Sequence, residues 1–532
     1  MIFTVIDFFK RNKKITVGAV CVLSAAVSAF CLMFSALSPL QWISLVPAAL
    51  CLFLMLEKGV RPRRAYLYGV GFFWVYYLVL FHWFVYMYPL DFLRMGEFES
   101  VVVIAVSWLG VSFGQAAFSA LAVPIVVVLT KKSTRLVSLL CACLWVVFEW
   151  GLTLTRAGVP WSRLAIGQID MPMVVQSASL FGSYFITFLI VLVNFLIAYT
   201  VRYKRKLAAA VAMLLFSANL ALGGLLLAGY EEGEKITVSA VQGNIPSKVK
   251  WNESLFVSSF RIYSGYVERA AQEGAQVVLL PETVVPFSMT KDGEVAKLLS
   301  QLAEENRICL LVGGFYEENG KDYNSIFAFH PDGRVNETVY RKRHLVPFGE
   351  YIPLGGVIGK IIPPLADVNA YSQDISAGDA VNIIDTEYGR MGCLVCFDSV
   401  YERAARESVR GGAQILMLAT NDSWFSDSVA LDMHNNQARL RAIENRRSVV
   451  RAANTGISSV ITPLGEIVDS VGAMKRGLLV EEAEIRNELT LYTKIGNVFV
   501  YLCGMFVAAV VIMNVKKAAS NKKSRKMQGG SI

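Results

Sequence analysis

Eight stretches of this chain are apolar over lengths that a soluble protein rarely carries. They are residues 15–38, 40–56, 66–88, 101–130, 136–155, 172–200 and 207–229, then one isolated run at 495–515. About 20 apolar residues in a helix cross the hydrocarbon core of a bilayer, so the pattern predicts about eight spans, seven before a long polar insert and one after it. The second run is short and holds Pro47, and the fourth is long and holds Pro124. Small residues such as Ala26, Ser28 and Ala29 resemble a cleavage site, but the first run is longer than a signal-peptide core and more spans follow. It reads as a retained anchor.

The charge of +9 is not spread evenly. Lys and Arg cluster at Lys10 to Lys14, Lys58 to Arg64, Lys131 to Arg135, Arg202 to Lys206 and Lys516 to Lys526, which are alternate connections. Only Arg94, Arg156 and Arg163 occupy the opposite short loops. The positive-inside rule then places both termini in the cytoplasm and residues 231–494 outside it. The basic charge is topological, and nothing in it calls for nucleic acid. The resulting division is a membrane domain over 1–230, a soluble domain over 231–494, a last span over 495–515 and a basic tail over 516–532.

Within the insert, short β-rich runs alternate with charged, helical ones. Strands are expected at 235–244, 275–283, 308–317, 324–333, 336–345, 390–397, 413–420 and 457–468, and helices at 252–273, 292–306, 399–410 and 432–446. The alternation predicts a layered α/β or α+β domain of about 250 residues with its own core. Runs such as "VVLL" and "ILML" read as strands covered on both faces.

Three internal strands end in residues with chemical potential: Glu282 in "LLPET", Lys342 in "VYRKRHLVPFGEY" and Cys396 in "GCLVCFDS". A thiol attacks a carbonyl only as thiolate. A carboxylate can take its proton, and a fixed ammonium can hold the oxyanion that forms. Taken singly, each residue is ordinary; the combination carries the reading.

These motifs resemble those of the nitrilase, or carbon-nitrogen hydrolase, superfamily. With seven spans before the domain and one after, the whole chain resembles the membrane-embedded branch of that superfamily, the bacterial apolipoprotein N-acyltransferase family. "VQGNIPSKVKW", "ATNDSWF", "RAIENRRSVVRAANTGISS" and "GVPWSRLAIGQ" support the likeness. The resemblance implies an αββα sandwich with a Glu-Lys-Cys triad on Glu282, Lys342 and Cys396, with Glu350 in support. It implies acyl transfer from a membrane phospholipid, through a cysteine thioester, to the α-amino group of a diacylated apolipoprotein. No cofactor or metal is called for, and a monomer is compatible with the reading. Phe397 and Asp398 depart from the family's usual Tyr-Glu after the nucleophile; the backbone N–H of Phe397 would still serve an oxyanion.

Other readings of the same residues are weaker. In a strand, Cys393 and Cys396 would face opposite ways, which disfavours a redox pair. The helix expected from Ser399 would favour a Cys396 thiolate through its N-terminal dipole. Zinc would have to use Cys309, His330, His344 or His434, none at paired spacing, and no G-x-S-x-G is present. A membrane-anchored amidase would pass the same thioester to water, but would have no use for seven spans. A transporter would be expected to show repeated halves. Glu149 in span five is either functional or a buried structural hydrogen bond. Trp251, Trp424 and the loop 348–365, with Ile361 and Ile362, are expected to contact membrane lipids and guide acyl chains.

Overall fold

The computed structural model describes residues 13–90, 95–130, 134–154, 158–246, 250, 255–347, 349–351 and 375–528. Each of the eight apolar runs is helical: Lys13–Met33, Val46–Glu57, Pro62–Leu80, Glu97–Ser119 with Ala122–Leu129, Val137–Leu152, Ser183–Tyr203, Lys206–Ala228 and Val498–Gln528. Among the described residues, five helical segments are long and apolar enough by length and composition to cross a membrane: Ser35–Glu57, Glu97–Leu129, Ser183–Tyr203, Lys206–Ala228 and Val498–Lys517. Pro47 falls in the first turn of its helix, where its missing N–H costs nothing. Pro124 cannot donate to the carbonyl of Ala120, and the long fourth run breaks there.

The sixth run departs from expectation. Pro172–Val175 and Ala178–Phe181 are separate short helices, and the continuous helix begins only at Ser183. Gly182 makes the break at φ 78, and a Cβ there would come within 2.7 Å of the Tyr492 ring. A side chain would suffer both the left-handed backbone and the collision.

The insert is a four-layer sandwich. One sheet runs β13-β1-β2-β4-β5-β6, with β3 pairing β4; the other runs β12-β11-β10-β9-β8-β7. In chain order the strands are β1 Glu234–Gln242, β2 Val277–Leu279, β3 Val285–Met289, β4 Cys309–Glu318, β5 Lys321–Phe329, β6 Tyr340–Arg341 and β7 Ile383–Thr386, then β8 Gly389–Val395, β9 Ile415–Thr420, β10 Val449–Ala453, β11 Ser458–Ile461, β12 Ile467–Val471 and β13 Gly477–Ile485. Val238, Leu279, Leu311, Met391, Cys393, Met417 and Val450 fill the space between the sheets. Helices Phe256–Gln272 and Glu294–Asn306 cover the first sheet's outer face, and Glu402–Arg410 and Ala430–Asn445 cover the second's. The covered strands β2, β8, β9 and β10 pair in parallel, as buried apolar runs require.

Bundle and sandwich share one core. Phe397, Val400, Tyr401, Met433, Leu440 and Ile443 belong to the same buried cluster as the membrane helices. Beside it lies a buried polar joint. Arg163 donates to Glu402 at 2.7 Å and to Tyr184 at 2.8 Å, while Asn497 donates to Glu402 at 3.0 Å. Glu149 accepts from Thr187 and Trp145 and stands 4.0 Å from Arg163. Its carboxylate therefore belongs to the network that ties the helices to the sandwich. Burial alone would raise the Glu402 carboxyl, but Arg163 and Arg441 hold it at about 2.

Candidate active site

Glu282, Lys342 and Cys396, expected at strand ends, each follow the end of a strand, with local geometry that differs from the expectation. Glu282 follows β2 in a loop where Thr283 has φ 52. That loop is pressed against β4 at Gly313, where a Cβ would meet the Pro281 carbonyl oxygen at 2.2 Å. Lys342 follows the two-residue strand β6, a fragment of the strand expected over 336–345. It is fixed by its backbone, since its N–H donates to Asn324 at 2.7 Å and its carbonyl accepts from Gly378 at 2.7 Å.

Side chains complete the cluster. Lys342 Nζ lies 3.2 Å from Glu282 Oε1 and 2.9 Å from Glu350 Oε2. Asn324 Nδ2 donates to both carboxylates, at 2.7 Å to Glu282 and 2.8 Å to Glu350. Glu350 also accepts from the N–H of Val346 at 2.8 Å. Glu282, Lys342, Glu350 and Asn324 are all buried. Burial, partly countered by Lys342 and reinforced by Glu282, pushes the Glu350 carboxyl up. One ammonium between two carboxylates is a compensated arrangement that leaves the lysine fixed in place.

Strand β8 ends at Val395, so Cys396 lies outside it, opening a short 3₁₀ turn, Cys396–Val400, at φ 47. This corrects two expectations. Cys393 and Cys396 do not face opposite sides; both line the core between the sheets, because the chain turns before Cys396. No α-helix begins at Ser399 either, since Glu402–Arg410 starts three residues later. Burial and then the charge of Glu282 push the Cys396 thiol up, against the pull of Lys342. Two carboxylates, Glu282 and Asp422, lie near the thiol and both disfavour its thiolate.

The peptide after Cys396 is held by its carbonyl. Ser399 Oγ donates to the Cys396 oxygen at 2.8 Å, and His434 Nε2 lies 3.2 Å from that oxygen. In a trans peptide the N–H points opposite to the C=O. Holding that oxygen therefore aims the N–H of Phe397 away from His434. His434 is oriented by Asp422 at 2.8 Å, and Asp422 by Arg451 at 2.5 Å. Cys396, Asp422 and His434 bring three ligand-type atoms within 4.8 Å of one another. A cation there would have to compete with Arg451 for Asp422.

Asp398, the second residue after Cys396, is tied in from several sides. Fully buried, it accepts from Tyr340 Oη at 2.8 Å, from the N–H groups of Val395, Arg343 and His344 at 3.1, 3.3 and 2.9 Å, and from His344 Nδ1 at 2.9 Å. Burial would raise its carboxyl, but His344, Lys342 and Tyr340 hold it below the usual range. Asp398 thus ties the segment carrying Lys342 to the turn carrying Cys396. Phe397 packs edge-on against Tyr401, with ring centroids 5.4 Å apart.

Of the expected lipid contacts, Trp424 is half-buried in the short helix Ser423–Phe425. Its neighbour Phe425 turns inward, edge-on against Trp83 at 5.0 Å and Trp161 at 5.4 Å of the membrane half. Trp251, Ile361 and Ile362 lie outside the described residues.

Sequence reasoning missed Lys250 and Asn324. Lys250 is buried and donates to the Glu282 carbonyl at 2.7 Å. Burial brings its ammonium down to about 7, against the pull of Glu282 and Cys396. A lysine within the apolar-flanked "IPSKVKW" was a usable signal, whereas Asn324, in the strand run "NSIFAF", offered none.

Residues 237–489 match the carbon-nitrogen hydrolase family, and residues 24–196 match the apolipoprotein N-acyltransferase N-terminal domain. The apolipoprotein N-acyltransferase of Geobacter metallireducens is 31% identical over 93% of this chain and 95% of its own. The chain belongs to the apolipoprotein N-acyltransferase family. The Gloeobacter violaceus apolipoprotein N-acyltransferase is 33% identical over 87% of each chain. Among solved structures, the nitrilase-superfamily protein Nit3 of Saccharomyces cerevisiae is 23% identical over 48% of this chain and 91% of its own, with a TM-score of 0.38. Family membership accounts for a multi-pass membrane protein carrying a nitrilase-like domain.

Proposed function

We propose that this member of the apolipoprotein N-acyltransferase family moves an acyl chain from a membrane phospholipid to the α-amino group of a diacylated apolipoprotein in two steps on Cys396. The observation that carries the residue assignment is the closed cluster of Glu282, Lys342 and Glu350 beside a buried thiol. Glu282 takes the Cys396 proton as sulfur attacks the ester carbonyl. The tetrahedral oxyanion is held by Lys342 Nζ and the N–H of Phe397. Glu282 then gives its proton to the departing lysophospholipid alkoxide, which leaves a thioester. In the second step the acceptor amine, with an ordinary pKa of about 7.7–8.0, attacks the thioester. Its proton passes to Glu282 and on to the Cys396 thiolate as the amide leaves.

Glu350 and Asn324 position Lys342 and Glu282 in this reading. Trp251, Phe397 and Trp424 are the candidate substrate contacts. The positive-inside pattern supports a cytoplasmic position for both termini and a periplasmic one for residues 231–494, next to the bacterial inner membrane.

The test incubates purified protein with phospholipid and a diacylated lipopeptide and follows lysophospholipid, enzyme thioester and N-acylated peptide by mass spectrometry. Cys393→Ala keeps all three products and Cys396→Ala loses them. Turnover by Cys396→Ala overturns the assignment. Acid or ammonia formed without peptide acylation marks the chain as an amidase instead.

A further inference from the structure

The bundle of membrane helices holds a cavity of about 1320 Å³ that the proposed chemistry does not use. All of its lining lies between Gly18 and Phe195, so no residue of the sandwich contributes. Most of the wall is apolar, but one mouth is formed by Lys58, Arg61 and Arg64, in the turn between the helices Val46–Glu57 and Pro62–Leu80. The neighbouring carboxylate, Glu57, is paired with Arg202. Among the described residues, no carboxylate is within ion-pair distance of the three cations.

The pairing of Glu57 with Arg202 also fixes which end of the bundle this is. Arg202 precedes Lys206–Ala228, and that helix runs from here to the sandwich, which begins with β1 at Glu234. The cationic mouth is therefore at the end of the bundle remote from Cys396. From Arg64 to Tyr77 the cavity follows about 20 Å of helix, at ~1.5 Å per residue. That exceeds the ~15 Å half-thickness of a bilayer's hydrocarbon core, and the volume exceeds the ~300–1,000 Å³ that accommodates a drug-sized ligand.

A long apolar slot with three cations at one mouth, none ion-paired among the described residues, matches a long-chained amphiphile with a negative head. We propose that this cavity binds an anionic phospholipid of the leaflet remote from the catalytic domain. Its phosphate sits among Lys58, Arg61 and Arg64, and its chains lie along Pro62–Leu80. Such a lipid is separate from the acyl donor, because its ester groups lie at the wrong end of the bundle to meet Cys396.

The experiment uses the full chain in nanodiscs of mixed phosphatidylglycerol and phosphatidylcholine, with lipids retained on the released protein identified by native mass spectrometry. The wild type should retain phosphatidylglycerol in preference to phosphatidylcholine. Each juxtamembrane cation is worth roughly fivefold in affinity, so the triple change Lys58→Gln, Arg61→Gln, Arg64→Gln should abolish that preference. Gly71 lines the cavity, and a Cβ there meets nothing within 4 Å. Gly71→Phe should therefore occupy the slot without disturbing its helix and reduce retention of both lipids. Equal retention of the two lipids by the wild type overturns the proposal, as does retention unchanged in Gly71→Phe.

Discussion

Replacing Asp398 with asparagine should cripple acyl transfer, although the side chain keeps its shape. The carboxylate accepts five hydrogen bonds through two oxygens, with Tyr340 and Val395 on one and Arg343 and His344 on the other. An amide can present only one oxygen. Its NH₂ must face either the N–H of Val395 or the N–H groups of Arg343 and His344, leaving at least one buried backbone donor unpaired. Each orphaned donor costs about 1–3 kcal/mol, and the charge-assisted bonds weaken as well. A total of about 3 kcal/mol is expected, read as a lower denaturation midpoint at pH 7. The rate should fall further than stability alone explains. Val395 precedes Cys396, while Arg343 and His344 follow Lys342, so slack of an ångström between them costs on the order of 10²-fold in turnover. The assay is single-turnover release of lysophospholipid by folded Asp398→Asn beside wild type. Wild-type turnover in that variant would refute the positioning argument. Because the folded carboxyl lies below its ordinary value, the stability it supplies is present above about pH 4 and is lost as pH falls through the folded value.

Four further outcomes follow from the same geometry. Gly313→Ala places a methyl against the Pro281 carbonyl and should displace Glu282, lowering turnover at least tenfold while leaving Cys396 open to alkylation. Ser399→Ala removes one of the two groups on the Cys396 carbonyl and should reduce kcat about five- to tenfold, for a loss of ~1 kcal/mol, with KM unchanged. Lys250 titrates near 7 in the folded protein and near 10.5 when exposed; the unfolded chain binds the extra proton between those values, so stability should rise with pH across that window in the wild type and rise less in Lys250→Met. Glu402→Gln removes the nearest counter-charge of buried Arg163, leaving Glu149 at 4.0 Å, and should cost about 3 kcal/mol, measured by denaturation in detergent.

The layered fold was legible because continuous apolar runs such as those of β4 and β9 alternate with charged stretches whose apolar residues recur at helical spacing, as in Phe256–Gln272 and Glu294–Asn306. Strands β3, β7, β10 and β13 escaped notice: β3 holds Pro286, β7 has four residues, β10 begins within an arginine-rich run, and β13 passes from Leu-Leu-Val into a glutamate-rich stretch. The expected strand at 336–345 shrank to Tyr340–Arg341, since the following residues turn to bring Lys342 between two carboxylates. Glu282, Lys342, Glu350 and Cys396 were singled out because motif order carried them, and in the fold Lys342 lies within ion-pair distance of both Glu282 and Glu350. The turn at Cys396 could not, because a left-handed backbone at a non-glycine residue leaves no trace in composition. Asn324 was invisible for another reason. Its function lies in a distance to two carboxylates far away in sequence, and nothing local distinguishes it from any strand asparagine.

The apolar cluster that runs unbroken from the membrane helices to Phe397, Val400 and Tyr401 bears on how such a domain could arise. A free-standing hydrolase recruited to a bilayer by a tether would keep a polar exterior and could be cut loose again. In this chain the residues just after Cys396 are walled by the lipid-embedded half, so excising 231–494 would strip that turn of one side and leave an oily scar in water. The anchor and the catalyst have become a single foldable object, and selection on either half must act on both.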